Sequence, residues 1–417
     1  MFSGPVKGPR TRARKSDADM YSPTHTNDRR DAAARVLDEQ ILRFIASDRP
    51  LDTEFDRLAL ACFTYQYDRC EPYRRFCDRS GRAPNNVTSW LEVPAVQTAS
   101  FAAARLACFP LESTTIEFHS SGTTSSSERR STLELDSPVV YEASLLAHFR
   151  RRVLPDAPNM RILALMPSRS DAPNSSLSYM AQHLIDAIGD AGSGFFVEKG
   201  ELAFERLKGA LATSEPALVF GTAFAFVHFF DRCRGDGLAF HLPPGSRVIE
   251  TGGFKARSRA VPRSELYADF TELLGVPGEM CASEYGMCEL GSQWYDATIE
   301  DTLASRASLG IPHSARGSLG IPHPARVSLG IPHPVKVGPH WAKAIVVDPV
   351  TAQPVKPETE GLIRIFDLSN RGSICAVVTG DLGIERHGGF VLLGRSAGAP
   401  PKGCSIDADE LLTRGCG

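Results

Sequence analysis

The sequence predicts an α/β protein: a large domain of mostly parallel sheet flanked by helices, followed by a smaller β-rich subdomain. Three observations lead there. Short apolar runs alternate with helix-like stretches through the middle of the chain, the pattern of successive β-α-β units. After Trp341 apolar strands follow one another with only turns between them. With 417 residues, 42% hydrophobic and 23% charged, the chain can bury a sizeable core.

Residues 1–28 are polar and basic with almost no apolar periodicity, which predicts a disordered tail. Helical spacing begins near Asp31, where Val36, Ile41 and Ile45 approach one face and Leu37 and Leu42 widen it. A second helix is expected around Phe55–Tyr67. Asp136 is placed to cap a helix running to about Arg152, with Ser137 and Pro138 in its first turn. ILALMP (162–167), GFFVE (194–198), ALVFG (217–221) and RVIET (247–251) read as buried strands, and 175–189 as a helix closed by Gly189. The aromatic run Phe224, Phe226, Phe229 and Phe230 reads as a core helix rather than a ligand pocket. KAIVVDP (343–349), GLIRIFD (361–367), ICAVVTGD (374–381) and GFVLLGR (389–395) are the strands of the β-rich subdomain. The division expected is therefore a tail at 1–28, an α/β core at 29–305, an insert at 306–337, a β-rich subdomain at 338–395 and a short tail at 396–417.

The insert carries an internal repeat: SLGIPHSARG, SLGIPHPARV and SLGIPHPVKV, starting at 308, 318 and 328. Pro and Gly recur in every unit, so a duplicated surface loop is the reading. His313, His323 and His333 line up within it, but no acidic or cysteine ligand accompanies them, and a neutral insertion fits better than a metal site.

Lys plus Arg number 46 against 49 Asp plus Glu, a net charge of −3, which argues against a nucleic-acid binder. No apolar run reaches the ~18 residues of a membrane span. The basic start has no apolar stretch behind it, so no secretory signal is read. A cytoplasmic protein is expected. The ten cysteines form no CxxC pair, and in a reducing compartment most should be buried as small hydrophobes.

Chemistry concentrates in four segments. FHSSGTTSS (118–126) sets the hydroxyls of Ser120, Ser121, Thr123, Thr124 and Ser125 around Gly122. Such hydroxyls and consecutive N–H groups make a concave anion site suited to phosphate, although a polar turn gives the same composition. There is no GK[ST], so it is not a Walker loop. SEYGMCELGSQWY (283–295) holds Glu284 and Glu289, and a carboxylate such as Glu289 can hold Mg2+ that takes its remaining ligands from phosphate. VVTGDLG (377–383) ends a strand on Asp381, an acceptor suited to two ribose hydroxyls. GFVLLGR ends on Arg395, a fixed cation able to bridge phosphate and ribose. Each segment taken singly is also an ordinary turn at a strand end.

In this order, SSGTT, EYGMCE, TGD and GR resemble the adenylate-forming superfamily of acyl-CoA synthetases, firefly-type luciferases and peptide-synthetase adenylation domains. Within it the chain is most similar to the acyl-protein synthetases (long-chain-fatty-acid–protein ligases) of bacterial bioluminescence. The stretches PYRRFC (72–77), VPAVQTASF (93–101), TGGFK (251–255) and KGCS (402–405) carry that similarity, which spans roughly 50–406. The resemblance implies that Ser120 to Ser125 clasp ATP phosphates, that Gly252 and Gly253 with Glu284, Tyr285 and Gly286 line the adenine and acyl pocket, and that Glu289 holds Mg2+. It implies that Asp381 binds the ribose, Arg395 the ribose or α-phosphate side, and that Cys404 accepts the acyl group. ATP and Mg2+ are the implied cofactors. A fatty or other carboxylic acid is the implied substrate, and an acyl reductase the implied partner, with no nucleic acid and no membrane span.

The chemistry is self-consistent. A carboxylate lacks a leaving group; adenylation supplies one, and a thiolate can then capture the acyl group as a thioester. Lys402 and Gly403 before Cys404 offer a nearby cation and a flexible joint. Two positions depart from the superfamily: Ser125 stands where Gly is usual and Cys288 where Thr is usual. Only 22 residues follow Arg395, so the superfamily's swivelling C-terminal domain is not expected. An acyl-CoA-type ligase, or a non-catalytic nucleotide- or acyl-binding relative, are the alternatives.

Overall fold

The computed structural model of the chain describes residues 30–120, 130–252, 261–308 and 334–396. The 1–28 tail, the three repeat histidines, Cys404 and Cys416 lie outside them.

Asp31 caps the first helix, Ala32–Ile45, its carboxylate accepting from the Ala34 N–H at 2.6 Å. The buried stripe is Ala34, Leu37, Ile41, Phe44 and Ile45, whereas Val36 is 54% exposed, so the face lies one step from the expected one. The second helix, Asp52–Arg69, is longer than its apolar spacing indicates.

The strands are β1 (Val96–Gln97), β2 (Ile116–His119), β3 (Thr132–Leu135), β4 (Arg161–Pro167), β5 (Gly194–Glu198), β6 (Glu201–Leu202), β7 (Ala217–Thr222) and β8 (Arg247–Thr251). They continue as β9 (Cys281–Tyr285), β10 (Trp294–Asp296), β11 (Val335–Val337), β12 (Ala342–Val347), β13 (Glu360–Asp367), β14 (Ala376–Arg386) and β15 (Gly389–Arg395). Except for the β2–β3 hairpin, all join one sheet in the order β12-β13-β14-β15-β11-β10-β9-β8-β7-β4-β5-β6, with β1 beside β14.

From β5 through β4, β7 and β8 to β9 the pairing is parallel. These strands are covered on both faces by helices, which is why β4 and β7 read as unbroken apolar runs. Among the covering helices are Ser176–Ile188, capped by the Ser175 hydroxyl and ended at Gly189, and Ala223–Gly235. In the latter Phe226, Phe229 and Phe230 are buried in the core, as the aromatic run implies. Along the path from β9 to β12 the pairing is antiparallel, and only β1 joins this part in parallel, beside β14. The described residues after β12 contain no α-helix, in keeping with the β-rich reading.

The sheet is strongly curled. Tyr285 on β9 donates its hydroxyl to Asp381 on β14 at 2.9 Å, although β10, β11 and β15 lie between them in the sheet. Four strand steps on a flat sheet would separate the two by about 19 Å. Phe390 of β15 fills the inside of the curl, 5.2 Å between ring centroids from both Tyr285 and Trp294.

Asp136 does not cap the following helix, which starts at Val139 with no side-chain cap. Instead Asp136 and Asp38 clasp Arg371 from two sides, with Nη1 and Nη2 donating to Asp136 at 2.9 and 2.8 Å and Nε and Nη2 donating to Asp38 at 2.6 and 2.9 Å. All three side chains are buried. A local capping preference worth about 1 kcal/mol yields here to the need of a buried guanidinium for two carboxylates.

His148, on the helix Val139–Val153, is buried with its Nε2 3.2 Å from the Val337 carbonyl. Burial, aided by the Arg152 charge, holds its pKa well below the ordinary histidine value. The unfolded chain therefore binds a proton near pH 6.5 that the folded chain resists, so this contribution to stability is present above that pH and lost as pH falls through it. Between pH 7.5 and 5.5 the Tm of the wild type should fall more steeply than that of His148→Gln. Parallel slopes in a thermal-melt series would remove His148 as a cause.

Candidate active site

The site gathers at the carboxyl ends of β8 and β9, where ligands sit in open α/β sheets, and at the curled edge that brings β14 and β15 opposite. Thr251 and Glu284 are paired residues of β8 and β9, and the Thr251 hydroxyl donates to the Glu284 carboxylate. Gly286 follows because a Cβ there would strike that same carboxylate. Both pairing partners border a small cavity of about 30 Å³, together with Tyr141, Gly252, Gly286 and Gln293.

Asp381 and Arg395 are register partners on β14 and β15, with Arg395 Nε 3.3 Å from Asp381 Oδ1. The Tyr285 hydroxyl occupies the other oxygen of Asp381, and burial beside that carboxylate pushes the phenol pKa well up, so it stays a donor. The Arg395 side chain remains 29% exposed. Its Nη1 makes no hydrogen bond, leaving a cation with donor capacity at the rim.

Glu289 lies in the turn between β9 and β10, its own carbonyl tied by the Asn370 amide at 2.7 Å. Gly291 lets this turn sit against Ser369 and Asn370, where a Cβ would collide. Glu289 is 6% exposed, and burial raises its pKa; the Ser131 hydroxyl and the Arg395 charge oppose the rise, while Asp381 adds to it. Glu289, Asp381 and Arg395 thus sense one another's charge.

The hydroxyl-rich segment follows β2 in the sequence and precedes β3, the antiparallel partner of β2. Ser120 and Ser131 close its root: the Ser120 N–H donates to the Ser131 carbonyl at 2.8 Å, and the Ser131 N–H to the Ser120 hydroxyl at 2.9 Å. Ser120 therefore latches the loop. Ser121, Gly122, Thr123, Thr124 and Ser125 lie outside the described residues, as do Gly253 and Cys404. His119 pairs with Glu117 at 2.5 Å and forms no triad with Ser120. The eight described cysteines, Cys288 among them, are all buried.

Three features escaped sequence reasoning: the Tyr285–Asp381 link, the role of Ser131 beneath Glu289, and Gln293, whose buried Oε1 has no hydrogen-bond partner. Only Gln293 left a trace, as a polar amide leading into the aromatic pair Trp294-Tyr295.

A family model described as "Acyl-protein synthetase, LuxE" matches residues 31–290. The chain belongs to this family. The acyl-protein synthetase family makes it an adenylate-forming, ATP-using ligase. Among solved structures, an open conformation of 2-hydroxyisobutyryl-CoA ligase in complex with 2-HIB-AMP and CoA aligns with a TM-score of 0.55 and 16% identity, covering 82% of this chain and 75% of that one. The same ligase in its thioesterification state aligns with a TM-score of 0.55 and 16% identity, over 83% and 68% of the two chains. At that identity the likeness is one of fold. A search of curated protein sequences finds no match. No described helix of this acyl-protein synthetase family member is long and apolar enough to cross a membrane.

The residues present fit a magnesium ion. Mg2+ takes one or two protein carboxylates and fills its octahedron with phosphate oxygens and water. Glu289 offers one buried carboxylate whose charge burial leaves poorly compensated, and the described residues hold no cluster of three or more His, Cys, Asp or Glu that would make an all-protein cage.

Proposed function

We propose that the protein activates a carboxylic acid with ATP and captures the acyl group on the thiol of Cys404. In the first step a carboxylate oxygen bonds to the α-phosphorus, the bond to the bridging oxygen breaks, and pyrophosphate leaves. In the second a thiolate bonds to the acyl carbon, the carbon–oxygen bond to AMP breaks, and AMP leaves. The observation that carries this reading is the meeting of Tyr285, Asp381, Arg395 and Glu289 on one rim, next to the root of the hydroxyl-rich hairpin.

In this reading Asp381, held by Tyr285, grips the ribose hydroxyls, and Arg395 turns its free donors to the ribose or α-phosphate. The 120–125 hydroxyls and N–H groups cradle the phosphates, and Ser120 sets the loop's root. Glu289 would hold Mg2+, which when bound neutralises phosphate charge. Gly252, Glu284 and Gly286, which border the cavity, would wall the adenine and acyl pocket, with Gly253 implied beside them by the family resemblance. Positioning and charge neutralisation supply the catalysis. Fatty acids are the family's substrates to try first, with an acyl reductase as onward recipient.

Incubation with ATP, Mg2+ and labelled acids should mark the protein on Cys404 alone, read by peptide mass spectrometry. Cys404→Ser should lose the label and keep ATP–pyrophosphate exchange. A Cys404→Ser protein that still carries the label refutes the acceptor assignment, and release of the acyl group only to added coenzyme A favours a free ligase.

A further inference from the structure

The turn that carries Glu289 is held from behind by a carboxylate the adenylation chemistry does not use. Asp367 ends β13 and is fully buried. Its Oδ2 accepts the Ser292 N–H at 2.7 Å. Its Oδ1 accepts the Ser292 hydroxyl at 2.8 Å, the Ser369 N–H at 3.0 Å and the Ser369 hydroxyl at 2.5 Å. These four donors, rather than a cation, are the largest influences opposing the cost of burying its charge. Three residues before Ser292, the Glu289 carbonyl accepts the Asn370 amide at 2.7 Å. At Gly291, between those two ties, a Cβ would strike Ser369. The segment 367–370 thus grips the turn at both ends and lies flush against its middle. The grip is braced from the far side: Trp341 Nε1 donates to the Ser292 hydroxyl at 3.1 Å, and the Gln66 amide donates to the Asn370 carbonyl at 3.1 Å.

A buried carboxylate is costly, and a neutral or apolar side chain of similar volume often serves stability as well. What the carboxylate adds is two oxygens that take donors from two segments at once, which fixes one geometry. We propose that Asp367 is a positioning residue for Glu289: by fixing Ser292 it sets where the carboxylate of that turn meets a phosphate-bound cation. This rests on the reading of Glu289 as the Mg2+ carboxylate. Asp367 is sealed from solvent and acts through the backbone of the turn.

The test is a double-mutant cycle on the full chain. Asp367→Asn keeps the shape but leaves one acceptor oxygen for four donors. It should lower ATP–pyrophosphate exchange about 10- to 100-fold, with the loss in kcat and in the Mg2+ needed for half-maximal rate rather than in the KM for the acid. Calorimetry should show ATP binding weakened about tenfold in Mg2+ and unchanged in EDTA. In the Glu289→Gln background the same substitution should change exchange by less than about threefold, because there is no carboxylate left to place. Gly291→Ala, which removes no polar group, should give the same pattern by pushing the turn off Ser369, and it decides the matter if Asp367→Asn does not fold. Losses that multiply in full across the cycle, or ATP binding weakened equally with and without Mg2+, would overturn the proposal. If Glu289→Gln leaves exchange unchanged, the metal role of Glu289 falls and this proposal with it. If Glu289→Gln lowers exchange and Asp367→Asn does not, only the positioning role falls. Should no acid support exchange, the adenylation reading fails, and the Mg2+ dependence of ATP binding alone decides the role of Asp367.

Discussion

Glu289→Gln should lower ATP–pyrophosphate exchange by about 100-fold and yet raise the melting temperature. The loss follows from removing a charge that would hold the metal against the phosphates, an interaction worth several kcal/mol in the transition state, where each 1.36 kcal/mol is a factor of ten. The gain follows from burial. Glu289 is 6% exposed and its pKa is raised, so the folded protein keeps it ionised at a cost that a neutral amide of the same shape avoids. The opposite signs separate a working carboxylate from a structural one. Raising Mg2+ should recover part of the lost rate in Glu289→Gln. For the wild type, the acid limb of the pH–rate profile should lie above the ordinary carboxylate range, since the ionised form is the one that binds a cation. Unchanged exchange, or a fall in both rate and Tm, would deny Glu289 this role.

Arg371→Leu should cost about 3–5 kcal/mol of stability, the penalty for stripping the partner from buried carboxylates. Asp38 keeps a second cation, Arg30, at 2.8 Å, whereas Asp136 has only Arg371 among its ion pairs in the described residues. Replacing Asp136 by Asn in the Arg371→Leu background should therefore recover part of the loss, and replacing Asp38 less. A domain of this size gives a few degrees per kcal/mol, so a drop of about 10 °C in thermal melts is expected. A drop smaller than ~2 °C would mean that water reaches these carboxylates.

The strands near 162, 217 and 247 were legible to within a residue because each is buried on both faces, and that near 194, only partly buried, because its apolar run is bounded by Gly194 and Glu198. The first helix was legible in extent and not in face, since Val36 and Leu37 are equally apolar and only packing chooses between them. Order in the sheet left no local mark: β11 is the last three residues of the third repeat unit, read from sequence as part of a surface loop, and it inserts between β10 and β15, which no three-residue string announces. Asp136 misled for the same reason, because its partner is 235 residues away. In the site, Glu284 and Arg395 do lie at strand ends, whereas Asp381, read as the end of a strand, sits inside β14, which runs on to Arg386, and Glu289 sits in the turn after β9. That Tyr285 reaches Asp381 depends on the curl of the sheet across 96 residues of sequence, and that Gln293 is unmatched depends on everything that does not touch it.

The anchoring of the last strand sets a mechanical limit on thiol delivery. The Ser396 N–H is fastened to the Gly380 carbonyl at 2.9 Å, immediately after Arg395. The sheet runs hydrogen-bonded without a break from β9 through β10, β11 and β15 to β14. Cys404, proposed as the acceptor, is nine residues beyond Arg395 in the sequence, a span of at most ~30 Å. If Cys404 is the acceptor, the carbonyl it captures must lie within that distance of Arg395.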